Sequence, residues 1–122
     1  MLRGGATLVG AGMICWDRVN ELRDEVGAED FAEVVEIFIE EVDEVMARLR
    51  ADPDPSTYET ELHFLKGSAL NLGFQELADL CGKYEKVAGG PHQNDIDLSA
   101  VIRAYEKSLA EFNNGQRHTN AA

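Results

Sequence analysis

Several kinds of chemistry are excluded by what this sequence has little of. Its 122 residues include two cysteines, three prolines, three histidines and one tryptophan. Cys15 and Cys81 form no close motif and are flanked by apolar residues. Buried, reduced thiols are expected rather than a disulfide framework. His92 and His118 have no ligand spacing to His63, so no metal centre is expected. Cationic side chains are scarce as well. Eleven lysines and arginines face 23 carboxylates, giving a formal net charge of −12. Nucleic acid and anionic membrane surfaces would repel such a field, which leaves proteins and small molecules as partners. No apolar run approaches the length of a membrane-spanning helix. A glycine-rich phosphate loop, a serine or cysteine triad and a nucleotide-binding motif are all missing. Residues 1–13 are glycine-rich and mildly apolar, without the leucine-rich core of a secretory signal. They read as a flexible N-terminal extension of a cytoplasmic protein.

What the sequence does have is helical periodicity. Hydrophobic residues make up 44% and charged residues 28%, the balance of a globular domain. Residues 15–26 place Trp16, Val19, Leu22 and Val26 at helical spacing before Gly27. Residues 29–51 carry Phe31, Val34, Val35, Phe38, Val42, Val45, Met46 and Leu49 on one stripe. Carboxylates lead this second segment and arginines close it, which suits the helix dipole. Ile37 and Ile39 lie off its stripe, so it is apolar over more of its circumference than one core requires. ADPDPST then breaks the chain, with either Asp54 and Pro55 or Ser56 and Glu59 as the next helix start. A third helix should run to Asn71 and end at a left-handed Gly73. A fourth, residues 74–88, turns Leu77, Leu80, Cys81, Tyr84 and Val87 inward. A fifth, residues 98–112, does so with Leu98, Val101, Ile102, Tyr105, Leu109 and Phe112. No segment alternates with period two. The expectation is an all-α fold: an antiparallel up-and-down four-helix bundle with a short additional N-terminal helix across one end. Residues 113–122 hold nothing that would build a core and are expected to be a disordered tail.

Within the third helix the stretch ELHFLKGSALNLGF concentrates the unusual features. Tyr58, Leu62, Leu65, Ala69 and Leu72 share one arc of the wheel and must face the core. His63 lies about 140° from the centre of that arc, at roughly 100° per residue. It is not a core histidine. Gly67 lies one turn further along the same outer face, and Lys66 lies on its flank. An exposed helical glycine costs about 1 kcal/mol relative to alanine, so lack of bulk beside the histidine should serve a purpose. A neutral imidazole is a nucleophile near neutral pH, and a lysine three residues on can pair with an attached phosphoryl group. With no phosphate loop in the chain, the phosphoryl donor and its metal have to come from elsewhere. A carrier fits better than a self-sufficient enzyme, although an ordinary surface histidine remains the plain alternative.

The run His63, Lys66, Gly67, Ser68 and Gly73 closely resembles the signature of histidine-containing phosphotransfer (HPt) domains of two-component phosphorelays. The likeness covers roughly residues 14–112. It implies that His63 attacks the aspartyl phosphate of a receiver domain and holds the phosphoryl group on Nε2. The group would then pass to the aspartate of a second receiver. The partners implied are response regulators and the receiver of a hybrid histidine kinase. No cofactor is implied beyond Mg²⁺ supplied by the receiver, and a monomer without kinase activity is expected. Lys66 would stabilise phosphoryl charge, Gly67 would give access, and Gly73 would turn the chain. Where family members often carry a glutamine on the fourth helix, twenty-two positions after the histidine, this chain has Glu85. That carboxylate would hold Nδ1, or else pair with Lys83 or Lys86. Docking in the family uses an apolar surface beside the histidine, for which Ile14, Phe31, Phe38, Phe64 and Leu70 are candidates. The alternative role is an adaptor or inhibitor that binds a receiver or kinase without being phosphorylated.

Overall fold

The computed structural model describes residues 13–121, so all but the last residue of the expected extension lies outside the described residues. Five α-helices follow in order: α1 (Trp16–Val26), α2 (Ala28–Ala51), α3 (Tyr58–Leu72), α4 (Gln75–Ala88) and α5 (Leu98–Ala121). Single 3₁₀ turns at Pro55–Thr57 and Gln93–Asp95 precede α3 and α5. Among the described residues there is no strand, and the architecture is an all-α helical bundle with an added N-terminal helix. Neither expected start caps the third helix itself: Asp54 caps the 3₁₀ turn that leads into it, and α3 begins after Thr57 without a side-chain cap. Asp54 Oδ1 accepts from the Ser56 amide at 3.0 Å and the Ser56 hydroxyl at 2.9 Å, with Pro55 opening the turn.

The periodic stripes meet in one core. Leu62, Leu65 and Leu72 of α3, Leu77 and Cys81 of α4, Val42 and Met46 of α2, and Val101 and Phe112 of α5 are all essentially inaccessible. Tyr105 of α5 is buried beside them, and its hydroxyl donates to Asp43 Oδ1 of α2 at 2.6 Å. Two residues expected on the docking surface belong to this core instead. Ile14 is 1% and Phe31 4% exposed. The Cys15 amide donates to the Gly73 carbonyl at 2.7 Å, which draws the entering chain down onto the α3–α4 turn and drives Ile14 inside. The Arg23 guanidinium lies 4.6 Å from the centre of the Phe31 ring and covers it from the α1 side. Phe38 is half-buried against the core.

The expected disordered tail is also corrected, since α5 continues to Ala121. Its continuation to Gln116 is held by α1. Trp16 stacks on Phe112, with centroids 6.0 Å apart and planes 3° from parallel. The six-membered face of the indole then lies directly against Gly115, where a β-carbon would collide with the ring. Arg23 Nη2 donates to Gln116 Oε1 at 2.8 Å. Reading the tail alone misses this, because the apolar partner for Gly115 comes from a residue a hundred positions earlier.

Burial in the core, reinforced by the negative charge of Glu85, pushes the Cys81 thiol up to about 12. The fold therefore holds this thiol neutral, whereas in an unfolded chain it ionises near pH 8.5. Stability from this group is complete below about pH 8.5 and declines as pH rises towards about 12, by about 1.4 kcal/mol per pH unit between those limits. Denaturant titrations between pH 8 and 11 should show the decline, with a shallower slope in Cys81→Ala.

Candidate functional site: a histidine shared between two helices

α3 and α4 are joined by a turn of two residues, Gly73 and Phe74. Gly73 adopts φ +80°, the left-handed conformation predicted for it, and the Phe74 amide returns to the Ala69 carbonyl at 2.8 Å. Arg18 of α1 braces the same end of α3, donating from Nε to the Asn71 carbonyl at 3.2 Å. This tight hairpin sets the register of the two helices. His63, in the first half of α3, consequently lies beside Glu85 of α4, twenty-two positions later.

His63 is the result of that register that matters most. Its side chain is 70% exposed, and Nδ1 lies 2.8 Å from Glu85 Oε2. A carboxylate can only accept, so a neutral imidazole in this contact carries its proton on Nδ1 and its lone pair on Nε2. The other carboxylate oxygen, Oε1, lies 2.9 Å from Lys66 Nζ. That ammonium is at ion-pair distance without pointing a well-directed hydrogen bond at the oxygen, which is otherwise screened from solvent. Lys66 and then His63 hold the Glu85 carboxyl below the usual carboxylate range, against the opposing effect of burial. One carboxylate thus orients the ring and tethers the lysine. Lys83 and Lys86 do not take the Glu85 pairing. Lys83 sits 5.7 Å from the centre of the Tyr84 ring, and both lysines line a hollow with Lys66, Gly82 and Leu70.

Gly67 and Gly82 clear the surroundings in different ways. A β-carbon at Gly67 would meet nothing within 4 Å, so the fold itself makes no demand for glycine there. At Gly82, one would lie 3.4 Å from Lys66 Cδ, so the lysine stem passes close over the backbone of α4 on its way to Glu85. Sequence reasoning passed over Gly82. The signal was a glycine within a helix that otherwise has strong helix formers. Ser68 is buried in the bundle. Among the described residues, Ile37 (50%), Phe64 (36%) and Leu70 (49%) stay exposed as large apolar side chains. Phe64 borders a hollow with Glu41, Glu44 and Arg48 of α2, and Ile37 lies one turn before Glu41. Of the expected docking residues, Phe64 and Leu70 of α3 are therefore exposed; Ile37, which lies off the α2 stripe, is exposed as well. No three histidine, cysteine or carboxylate side chains among the described residues come together as a metal site.

A model of the Hpt domain family matches residues 33–114, from within α2 to the last turns of α5. This chain belongs to the Hpt domain family. Hpt domains are phosphocarrier modules of phosphorelays rather than kinases, and they interact with response-regulator receivers. The Hpt match includes α3 and α4 whole, and with them His63, Lys66 and Glu85, while α1 precedes it. No curated protein and no solved structure matches the chain. Among the described residues, no helix of this Hpt protein is long and apolar enough to cross a membrane.

Proposed function

We propose that this protein relays a phosphoryl group between aspartates of receiver domains through a phosphohistidine at His63. The observation that carries this reading is the contact between His63 Nδ1 and Glu85, which leaves the lone pair on Nε2 of a strongly exposed ring. In the forward step, Nε2 attacks the phosphorus of an aspartyl phosphate, the N–P bond forms, and the P–O bond to the aspartate breaks as the carboxylate leaves. In the return step, an aspartate oxygen of the next receiver attacks the same phosphorus, and Nε2 regains its electron pair. Mg²⁺ and most of the charge stabilisation at the transition state come from the receiver. Lys66, already beside the ring, turns towards the phosphoryl oxygens once they are attached.

The exposed apolar side chains Phe64 and Leu70 of α3, with Ile37 of α2, supply the docking surface in this reading. Gly67 lets the receiver approach the ring. Its replacement by alanine should stabilise the free protein by up to about 1 kcal/mol, because open space receives the methyl group and helix propensity improves. Transfer from a receiver should nonetheless slow in Gly67→Ala, and more so in Gly67→Gln. Thermal melts and transfer time courses on the same samples test the two opposed effects. We place the protein in the cytoplasm as a monomer, with both free cysteines, Cys15 and Cys81, reduced.

The test is transfer itself. Wild-type protein incubated with a radiolabelled, phosphorylated receiver and Mg²⁺ should acquire label that is acid-labile and alkali-stable. Binding of phosphorylated receivers without any transfer would favour the adaptor role instead.

A further inference from the structure

Glu85 is a carboxylate, and a neutral amide could have made the same hydrogen bond to Nδ1. The difference appears only after phosphorylation. A ring carrying phosphorus on Nε2 and a proton on Nδ1 is cationic, and a carboxylate 2.8 Å from Nδ1 stabilises that cation where an amide does not. The proton matters for the N–P bond. When the bond breaks, its electron pair goes to Nε2, so a ring that keeps its Nδ1 proton leaves as neutral imidazole. A ring without it leaves as the far more basic imidazolate. Resting on the relay reading above, we propose that Glu85 keeps phosphorylated His63 protonated at Nδ1 and so holds the phosphohistidine in its transfer-ready form.

Other charged groups near the ring do not substitute for it. Glu59 and Lys66 of α3 and Glu85 and Lys86 of α4 border one hollow, and Glu41, Glu44 and Arg48 of α2 and Glu61 of α3 lie around Phe64. Of these, Glu85 is the residue in contact with the imidazole. Its second oxygen, held by Lys66, fixes the carboxylate in place before the phosphoryl group arrives. No proton has to enter or leave in either direction of transfer, because the Nδ1 proton stays between the ring and Glu85 throughout. Glu85 is thus a positioning residue that also sets how long the phosphoryl group remains on the protein.

Phosphoramidate, a small phosphoryl donor that needs no docking surface, provides the test. Protein labelled with ¹⁵N in its histidines is phosphorylated, freed of donor, and followed by NMR across pH. Glu85→Gln should lower the Nδ1 titration midpoint of the phosphorylated ring by about one unit. Its phosphohistidine should then last about tenfold longer at pH values above both midpoints, since the protonated fraction falls tenfold per unit. The two lifetimes should converge in acid, below both midpoints. The same comparison in a Lys66→Ala background should keep this difference. An unchanged midpoint and lifetime in phosphorylated Glu85→Gln overturns this proposal and leaves the relay intact. Loss of the difference in the Lys66→Ala background overturns it too, by tracing the effect to a lysine released onto the phosphoryl group. Failure of wild-type His63 to take up phosphate overturns the relay reading together with the proposal.

Discussion

His63→Gln should abolish phosphoryl uptake from a receiver while leaving the bundle folded. The side chain is 70% exposed, and among the described residues its polar partner is Glu85. A surface change of this kind alters stability by about 0.5 kcal/mol at most. A melting temperature within about 2 °C of wild type is expected for a domain of this size. Glutamine can still donate to the Glu85 carboxylate, so the Lys66–Glu85 pair should persist, and receiver binding with it. What disappears is the nucleophile. No acid-labile, alkali-stable label should remain on the variant. Label that survived would have to reside on His92 or His118. His92 is exposed, and its Nδ1 lies 3.7 Å from Asp95 Oδ2, beyond hydrogen-bond distance. That outcome would move the relay site away from the α3–α4 face.

Gly73→Ala should damage the fold itself. Two separate penalties act on the same methyl group. The backbone at φ +80° is left-handed, which costs a residue with a β-carbon about 1–2 kcal/mol. A β-carbon would also stand 2.7 Å from the Cys15 carbonyl oxygen and 3.0 Å from Val19 Cγ2. Neither neighbour gives way readily. Cys15 is held by the hydrogen bond from its N–H to the Gly73 carbonyl, and Val19 is buried at the base of α1. Overpacking of this kind typically adds about 1–3 kcal/mol. A fall in melting temperature of more than about 10 °C is expected. The functional loss should follow from the same cause, because the turn sets the register that brings Glu85 to His63. A melt within a few degrees of wild type would show that α1 can lift off the turn at little cost.

The contrast between Gly67 and Gly73 shows how far the sequence could be read. Both are ten or fewer residues from His63, and both look anomalous at the level of helix propensity. For Gly73 the reason is local: a helix that ends there needs a left-handed residue, and the sequence identified it. The collision with α1 is not local, and only the packed structure reveals it. For Gly67 the wheel placed the glycine on the outer face, and the open space around it shows that the bundle has no need of it.

The same division holds for the molecule. The sequence by itself determined the number and order of the helices, the inward stripes, the outward aim of His63 and the place of the α3–α4 turn. Each depends on periodicity and capping, which act over a few residues. Tertiary structure decided the rest. Ile14 and Phe31 read as possible docking residues and became core, because α1 is tied to the turn at Gly73 and Arg23 covers the Phe31 ring. Residues 113–122 read as a loose tail, yet the helix runs on to Ala121, its first added turn packed against Trp16 at Gly115. Glu85 had His63, Lys83 and Lys86 as candidate partners and meets His63 together with Lys66, which was not among them, because α4 returns antiparallel to α3. Charge pairs and ring contacts between helices depend on rotation and register, which no single helix encodes. The exposed histidine is legible in a line of sequence, and its contact with a carboxylate depends on how two helices meet.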